Sequence, residues 1–316
     1  MNQIRLLAAI TLLIYIGTAF ADRSLPDITM QPVAVSEHVY VVEGMPGIAT
    51  DNAGFVSNAT FVVTGDGVVV FDTLGSPALA MLLHKAILKT TDQPIRRVYI
   101  SHYHADHFYG AQIFADMGAK IIAPSGAADY LASDVSRERL HERRVSLSPW
   151  VNENTRLVVP DRYLEGEERF TLGDVSFRAL DMGSAHSDGD LVLLVETDRV
   201  MLSGDIIFEG RIPLLGSNNT DLWLATLNEL VDVDVAAIVP GHGHFSTNAD
   251  ELVALTRDYL QFMRRVMGEA VENWIPFDEA YDAVDWSDFI ELPAFTEANR
   301  SNAYGVYLSI ERESLK

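Results

Sequence analysis

The chain of 316 residues contains no cysteine. Disulfides, a cysteine nucleophile and a lipid anchor on a terminal cysteine are therefore excluded, and packing and bound ions must hold the fold. Basic residues are scarce as well. Against 45 Asp and Glu stand 23 Lys and Arg, a formal net charge of −22. Such a surface repels nucleic acid and anionic lipid, which argues against nucleic-acid partners. It supports solubility and leaves the substrate open, because bound metals reverse the sign of charge locally. No Gly/Ser linker and no internal repeat divides the sequence. The only long apolar run, residues 6–20, is at or below the roughly 18 residues of a spanning helix. It follows a short basic start and ends in Ala19-Phe20-Ala21, a small-residue cleavage pattern. The expectation is a signal peptide over residues 1–21, then one domain over residues 22–316. The protein would be exported, periplasmic or secreted, with no stable membrane anchor after cleavage. Oligomeric state has no signature here.

What is present is concentrated. His102-Tyr103-His104-Ala105-Asp106-His107 places four metal-ligand side chains in six residues of a chain with nine histidines. Residues 97–100 upstream read as a short buried strand, and residues 110–117 downstream as the start of a helix. On an extended backbone, His102 and His104, two apart, point to one side. Asp106 and His107 turn with the chain toward a second point. Imidazole with carboxylate suits zinc, and iron or manganese would accept the same set.

This motif resembles the His-x-His-x-Asp-His signature of the metallo-β-lactamase superfamily, and further ligand positions follow in order. His186 lies in Gly183-Ser184-Ala185-His186, after an expected strand over 175–180. Asp205 lies in Ser203-Gly204-Asp205, after one over 199–202, and His242 in Pro240-Gly241-His242, after one over 235–239. The resemblance runs from about His38 to His244. It implies an α/β fold, the four-layer αββα sandwich. It also implies one metal on His102, His104 and His186, a second on Asp106, His107 and His242, and Asp205 bridging them. Three protein ligands and an open position per metal is a catalytic arrangement. Two metals roughly 3.5–4 Å apart share a hydroxide formed from water of pKa about 7. Asp205 and Asp106 would orient that hydroxide, with Asp106 carrying a proton to the leaving atom.

One class of zinc β-lactamases has Cys where this chain has Asp205. An Asp there is similar to the glyoxalase-II, lactonase and related hydrolase branches. The expected function is therefore an exported hydrolase with two zinc per chain, cleaving a thioester, ester or lactone of a small-molecule substrate. Alternatives are a β-lactam hydrolase and, with iron, a sulfur-compound oxidoreductase on the same scaffold. A metal-binding assembly protein without turnover is a third class. The tail from about residue 275 reads as a helical extension. Its Pro293-Ala294-Phe295, Arg300, Asn302 and Val306-Tyr307-Leu308, with Gly210-Arg211-Ile212-Pro213, resemble an exported branch found with sulfur-oxidation and quinoprotein relay systems. That tail either packs against the sandwich or covers the substrate.

Elsewhere, residues 58–63 and 68–71 flank a hairpin turn at Thr64-Gly65-Asp66-Gly67. Helices are expected over 77–88, over 136–144, over 221–231 capped by Thr220, and over 248–273 capped by Thr247. Asp72 either supports the metal loop, as a carboxylate does at the matching family position, or merely ends a strand. Asp188 and Asp190 read as turn residues. His244, His38, His84 and His141 read as non-ligands. Tyr109, Arg211, Ser217 and Asn218 are near-site candidates by adjacency alone, and Trp150 and Trp223 are core residues or cavity walls.

Overall fold

A computed structural model describes residues 25–216 and 218–314. The expected signal peptide lies outside the described residues. Among those described, no helix is long and apolar enough to cross a membrane.

The first sheet holds β1 (Val33–Ala34), β2 (Val39–Val42), β3 (Ala59–Thr64), β4 (Gly67–Phe71), β5 (Ile95–Tyr99), β6 (Lys120–Pro124) and β7 (Arg162–Leu164), in that spatial order. Its first four strands are antiparallel neighbours and its last four parallel. The second holds β8 (Glu167–Leu172), β9 (Val175–Asp181), β10 (Leu191–Val195), β11 (Val200–Phe208) and β12 (Ala237–His242), in the order β12-β11-β10-β9-β8. Only β11 and β12 run parallel there.

Burial explains the layers. Every residue of β4 and of β10 is buried, so their apolar runs do not alternate with polar residues. Val69 and Phe71 face Phe177, Leu193 and Leu202 across the gap between the sheets. Val68 and Val70 face outward, onto Leu79 and Leu83 of α1 (Pro77–Thr90). Behind the second sheet, Met201 and Ile207 of β11 pack against Trp223 and Leu227 of α6 (Thr220–Val231). Leu260 and Met263 of α7 (Ala249–Glu272) join the same layer. The result is the expected αββα sandwich. The tail forms α8 (Phe277–Ala283) and α9 (Phe295–Ser314), and α9 packs along α7.

Two expected caps shift by one residue. The Asn219 side chain accepts from the Asp221 and Leu222 amides, so Asn219, not Thr220, caps α6. Asn248 accepts from the Glu251 amide and replaces Thr247 as the cap of α7. In both places an Asn one residue from the expected cap has the geometry to reach the free amides of the first turn.

At the end of the sandwich away from the histidine motif, His38 ties the two sheets together. It precedes β2, and its Nδ1 lies 2.7 Å from Asp198 in the β10–β11 turn. Its Nε2 lies 3.7 Å from Asp174 in the β8–β9 turn. Burial opposes charge on this imidazole, but the hydrogen bond and charge of Asp198, with Asp174, outweigh it and raise its pKa. The ion pair therefore stabilises the fold fully below the ordinary histidine value of about 6.5, and that contribution fades as pH rises through the raised value. Denaturant unfolding should show His38→Gln costing more at about pH 6 than at about pH 8.5. An equal cost at both would show that the contact is not ionic.

Candidate metal centre

Strand β5 ends at Tyr99 and the chain stays extended through His104, whose φ is −72° and ψ 147°. One short helix, α2 (Ala105–Phe108), then lifts Asp106 and His107 away from the first two histidines. The sequence placed these residues on a turning loop, with the helix starting only at residue 110, where α3 (Ala111–Asp116) follows. His186 follows β9 on a loop that Asp190 folds: its carboxylate accepts from the Ala185 amide (3.1 Å), the Ser187 amide (2.8 Å) and the Ser187 hydroxyl (3.0 Å). Asp188 is exposed. Asp205 differs from expectation. Strand β11 continues to Phe208, so Asp205 sits inside it, beside register shifts at Gly204, whose φ is +54°. The bulge turns the carboxylate toward the cleft while pairing with β12 resumes beyond it. His242 is the last residue of β12 rather than a residue beyond a strand.

The seven residues come together from both sheets. His104 Nδ1 lies 3.0 Å from His102 Nε2 and 2.9 Å from His186 Nε2. Asp205 Oδ2 is 3.8 Å from His102 Nε2 and 3.5 Å from His186 Nε2, completing one group. In the other, Asp106 Oδ2 lies 3.6 Å from His107 Nε2 and 3.4 Å from His242 Nε2. Asp205 reaches this group too, with Oδ1 3.1 Å from His107 Nε2 and Oδ2 3.4 Å from His242 Nε2. Asp205 Oδ1, His107 Nε2 and His242 Nε2 are buried without an aligned hydrogen bond among the described residues. Buried polar atoms in that condition need a partner. A cation between them would satisfy all three, so the donor set fits two small metal ions with nitrogen and oxygen ligands.

The electrostatics agree. Burial holds His102 well below the usual histidine pKa, lowers His104, and takes His186 down to about 3. These imidazoles are neutral at pH 7, with lone pairs free to ligate. Burial also opposes charge on His107, but Asp205, Asp106 and Asp72 outweigh it and hold its pKa well above the usual range. Burial is likewise outweighed at Asp106 and Asp205, where histidine charges hold both carboxylates well below the ordinary value. The cleft is built around positive charge.

Supporting contacts fix the candidate ligands. Asp72, at φ +63°, accepts from the Ser101 amide and hydroxyl, each at 2.7 Å, and lies 2.8 Å from His107 Nδ1. Asp72 thus orients a candidate ligand as well as ending its strand. His242 Nδ1 lies 2.6 Å from the Val56 carbonyl, which fixes the tautomer that leaves Nε2 facing the cleft. Ser57 donates to the Asp106 carbonyl at 2.6 Å, and the Asn58 amide group donates to Pro240 and Gly243 at 2.9 and 2.8 Å. Residues 56–58 therefore lock the metal loop to β12 across the two sheets. Nothing in the sequence marks them, since Ser-Asn before a strand is ordinary turn chemistry. Gly241 is required for space: a Cβ there would lie 1.9 Å from Asp205 Oδ1.

The other candidates separate. The His244 side chain is 82% exposed and pairs with Glu43, away from the cleft. His141 is exposed, and His84 is partly buried on α1. Trp223 is fully buried with its ring 5.0 Å from that of His186, so it backs a candidate ligand. Trp150 does not line the cavity at the cleft. Asn218 donates to the His186 carbonyl, and Ser217 lies outside the described residues. Tyr109 is buried. A cavity of about 600 Å³ opens at the cleft and is lined by His104, Asp106, Asp205, Tyr103 and Arg211. The tail both packs and covers: α9 contributes Ala298, Ser301 and Asn302 to the cavity wall.

The family model described as the metallo-beta-lactamase superfamily matches residues 52–242. The linear primary-alkylsulfatase of a Pseudomonas strain is 21% identical over 63% of this chain, which spans only 44% of that protein's length. Metallo-beta-lactamase IND-1 of Chryseobacterium indologenes is 24% identical over 71% of this chain and 85% of its own. Among solved structures, a metallo-beta-lactamase from Pontibacter korlensis superposes with TM-score 0.59 at 17% identity, covering 73% of this chain and 99% of its own. The sec-alkylsulfatase Pisa1 from Pseudomonas sp. gives 0.67 at 18% identity, over 88% of this chain and 50% of its own.

Asp72→Asn keeps the shape but places an amide donor among the Ser101 and His107 donors. Zinc affinity, measured by competition with a chromogenic chelator, should fall roughly tenfold to a hundredfold with the circular dichroism unchanged. Unaltered affinity would reduce Asp72 to a strand-ending residue.

Proposed function

The chain belongs to the metallo-beta-lactamase superfamily, whose members include metal-dependent hydrolases, and from that premise we propose an exported, dinuclear zinc hydrolase. It cleaves an acyl bond, a thioester, ester or lactone, in a small-molecule substrate. The observation that carries this reading is Asp205, whose carboxylate lies within 3.8 Å of ring nitrogens from both ligand groups. His102, His104 and His186 would hold one metal, Asp106, His107 and His242 the other, with Asp205 between them. A bound metal pair supplies Lewis acidity at the scissile carbonyl and water acidic enough to attack near neutral pH.

The chain's own residues supply the rest. Asp205, at 3% exposure, is fixed and dry, suited to positioning. Asp106 is 25% exposed and lines the cavity, so its ionised carboxylate can take a proton from the attacking water and pass it to the leaving atom. Asp72 and the Val56 carbonyl hold the His107 and His242 rings in place. Export rests on the amino-terminal pattern of residues 1–21. Two other bonds have support. Resemblance to metallo-beta-lactamase IND-1 over 85% of that protein favours a β-lactam, and resemblance to alkylsulfatases over 63% of this chain favours a sulfate ester.

The test is turnover by metal-analysed protein on an acyl thioester, a cephalosporin and an alkyl sulfate side by side. The reading expects preference for the thioester with about two zinc per chain. Preference for either other substrate replaces the acyl assignment with that bond. Bound iron with oxygen consumption would replace hydrolysis by oxidation. In Asp205→Asn, turnover should fall about a hundredfold or more while the fold persists. Wild-type turnover at equal metal content would remove Asp205 from the bridging position.

A further inference from the structure

One candidate ligand lacks a support that three others have. His102, His107 and His242 each present Nε2 to the cleft while Nδ1 is held from behind. The partners are the Ser101 hydroxyl at 2.9 Å, Asp72 at 2.8 Å and the Val56 carbonyl at 2.6 Å. His186 also turns Nε2 to the cleft, 2.9 Å from His104 Nδ1. Its own Nδ1 is buried without a hydrogen-bond partner among the described residues. The ring is backed instead by Trp223 and Phe208, with centroids at 5.0 and 5.5 Å. A hydrogen bond on the second nitrogen is what ordinarily aims a ligating imidazole. Without one, the aim of the His186 ring depends on where its backbone is held.

That backbone is held from several sides. Asp190 fixes the shape of the loop from within, through the Ala185 and Ser187 amides. Asn218 holds the His186 carbonyl. Two further contacts tie the loop to the histidine motif itself. At its base the Leu191 amide donates to the Ser101 carbonyl at 2.7 Å. At its tip the Asp188 amide donates to the Tyr103 hydroxyl at 2.9 Å, across 85 positions of sequence. Tyr103 stands between His102 and His104. The extended backbone that points those two histidines to one side points Tyr103 to the other.

Tyr103 is rigid enough to serve as an anchor. Its side chain is 6% exposed and stacks on Tyr130 of α4 (Ala127–Ala132), with centroids 4.4 Å apart and planes at 21°. Tyr130 lines the cavity together with Arg139 and Arg143 of α5 (Asp134–Ser146). The start of α4 presses on the same loop tip, since a Cβ at Gly126 would lie 2.4 Å from the Asp188 carbonyl oxygen. Asp188 is therefore gripped by its amide on Tyr103 and by its carbonyl against Gly126, two residues beyond His186.

On the assignment of His186 as a metal ligand, on which this rests, we propose that Tyr103 is its positioning residue. Through the Asp188 amide, the Tyr103 hydroxyl does for the His186 ring what Asp72 and the Val56 carbonyl do directly for His107 and His242. Tyr103 touches no ion in this role. It sets how His186 meets His102 and His104, and so the affinity of the metal position that those three would share.

The test is zinc binding to metal-free protein, titrated in competition with a chromogenic chelator, in a double-mutant cycle. Tyr103→Phe deletes the hydroxyl and keeps a ring to stack on Tyr130. It should weaken the binding step that His186→Ala also weakens, by roughly threefold to tenfold, the worth of one neutral hydrogen bond. Any other step should keep its wild-type affinity. In the His186→Ala background Tyr103→Phe should change nothing further, because the hydroxyl acts only through that ring. A merely structural contribution would loosen the whole cleft. It would weaken every step alike, or add its full loss to that of His186→Ala, and either result overturns the proposal. Wild-type affinity in Tyr103→Phe beside a weakened His186→Ala overturns the anchor alone. Unaltered affinity in His186→Ala overturns the ligand assignment, and the anchor with it.

Discussion

Five imidazoles and three carboxylates share one buried cleft, and the rest of the molecule is arranged around the energetic cost of that crowding. Asp205 stands at its centre, within 3.8 Å of His102, His107, His186 and His242. Buried carboxylates demand nearby positive charge, and buried imidazoles resist it. The cleft resolves the conflict unevenly. His102, His104 and His186 are pushed toward neutrality, while Asp205, Asp106 and Asp72 draw positive charge to His107 and raise its pKa. Such a site is at ease only with a cation in it, and that is the physical link from its geometry to metal-dependent chemistry.

Such crowding needs rigid walls. The two sheets provide them because their facing sides are apolar throughout, from Val39 and Val69 to Leu193 and Val239. Each sheet is backed by its own helices. The candidate ligands occupy strand ends, a bulge and the loops beyond, where backbone can depart from the ladder without exposing the core. At that edge the halves are stitched by polar contacts. Asn58 holds Pro240 and Gly243, and the Val56 carbonyl faces His242. The opposite edge is tied by His38 to Asp198. A shift of one sheet against the other would therefore break hydrogen bonds at both ends as well as apolar packing between.

The tail changes the character of the cavity. The cleft lies at the strand ends, and α9 closes part of it with Ala298, Ser301 and Asn302. Through Asn302 and Pro293 it also fixes the segment bearing Arg211. Covering the cleft and orienting its charge are thus done by the same helix.

The histidine motif and the apolar runs of β4 and the first part of β11 were legible in the sequence, because side-chain period and ligand chemistry are local properties, and the order of His186, Asp205 and His242 was legible through the family resemblance. The αββα layering was what that resemblance implied. Local pattern also misplaced what lay at its own limits, as with the extension of β11 through Asp205 and the caps Asn219 and Asn248. What only the tertiary structure decided depends on residues distant in sequence. Asp72 reaches His107 across 35 positions, Val56 reaches His242 across 186, and Asn302 reaches Leu215 across 87. Nor could the sequence tell which arginines lack a counter-charge, since Arg143 and Arg211 look like any others until the chain folds them against one cavity. The sequence by itself determined which atoms could bind a metal. Folding alone decided which of them are buried together, because burial and long-range contact are properties of the whole chain.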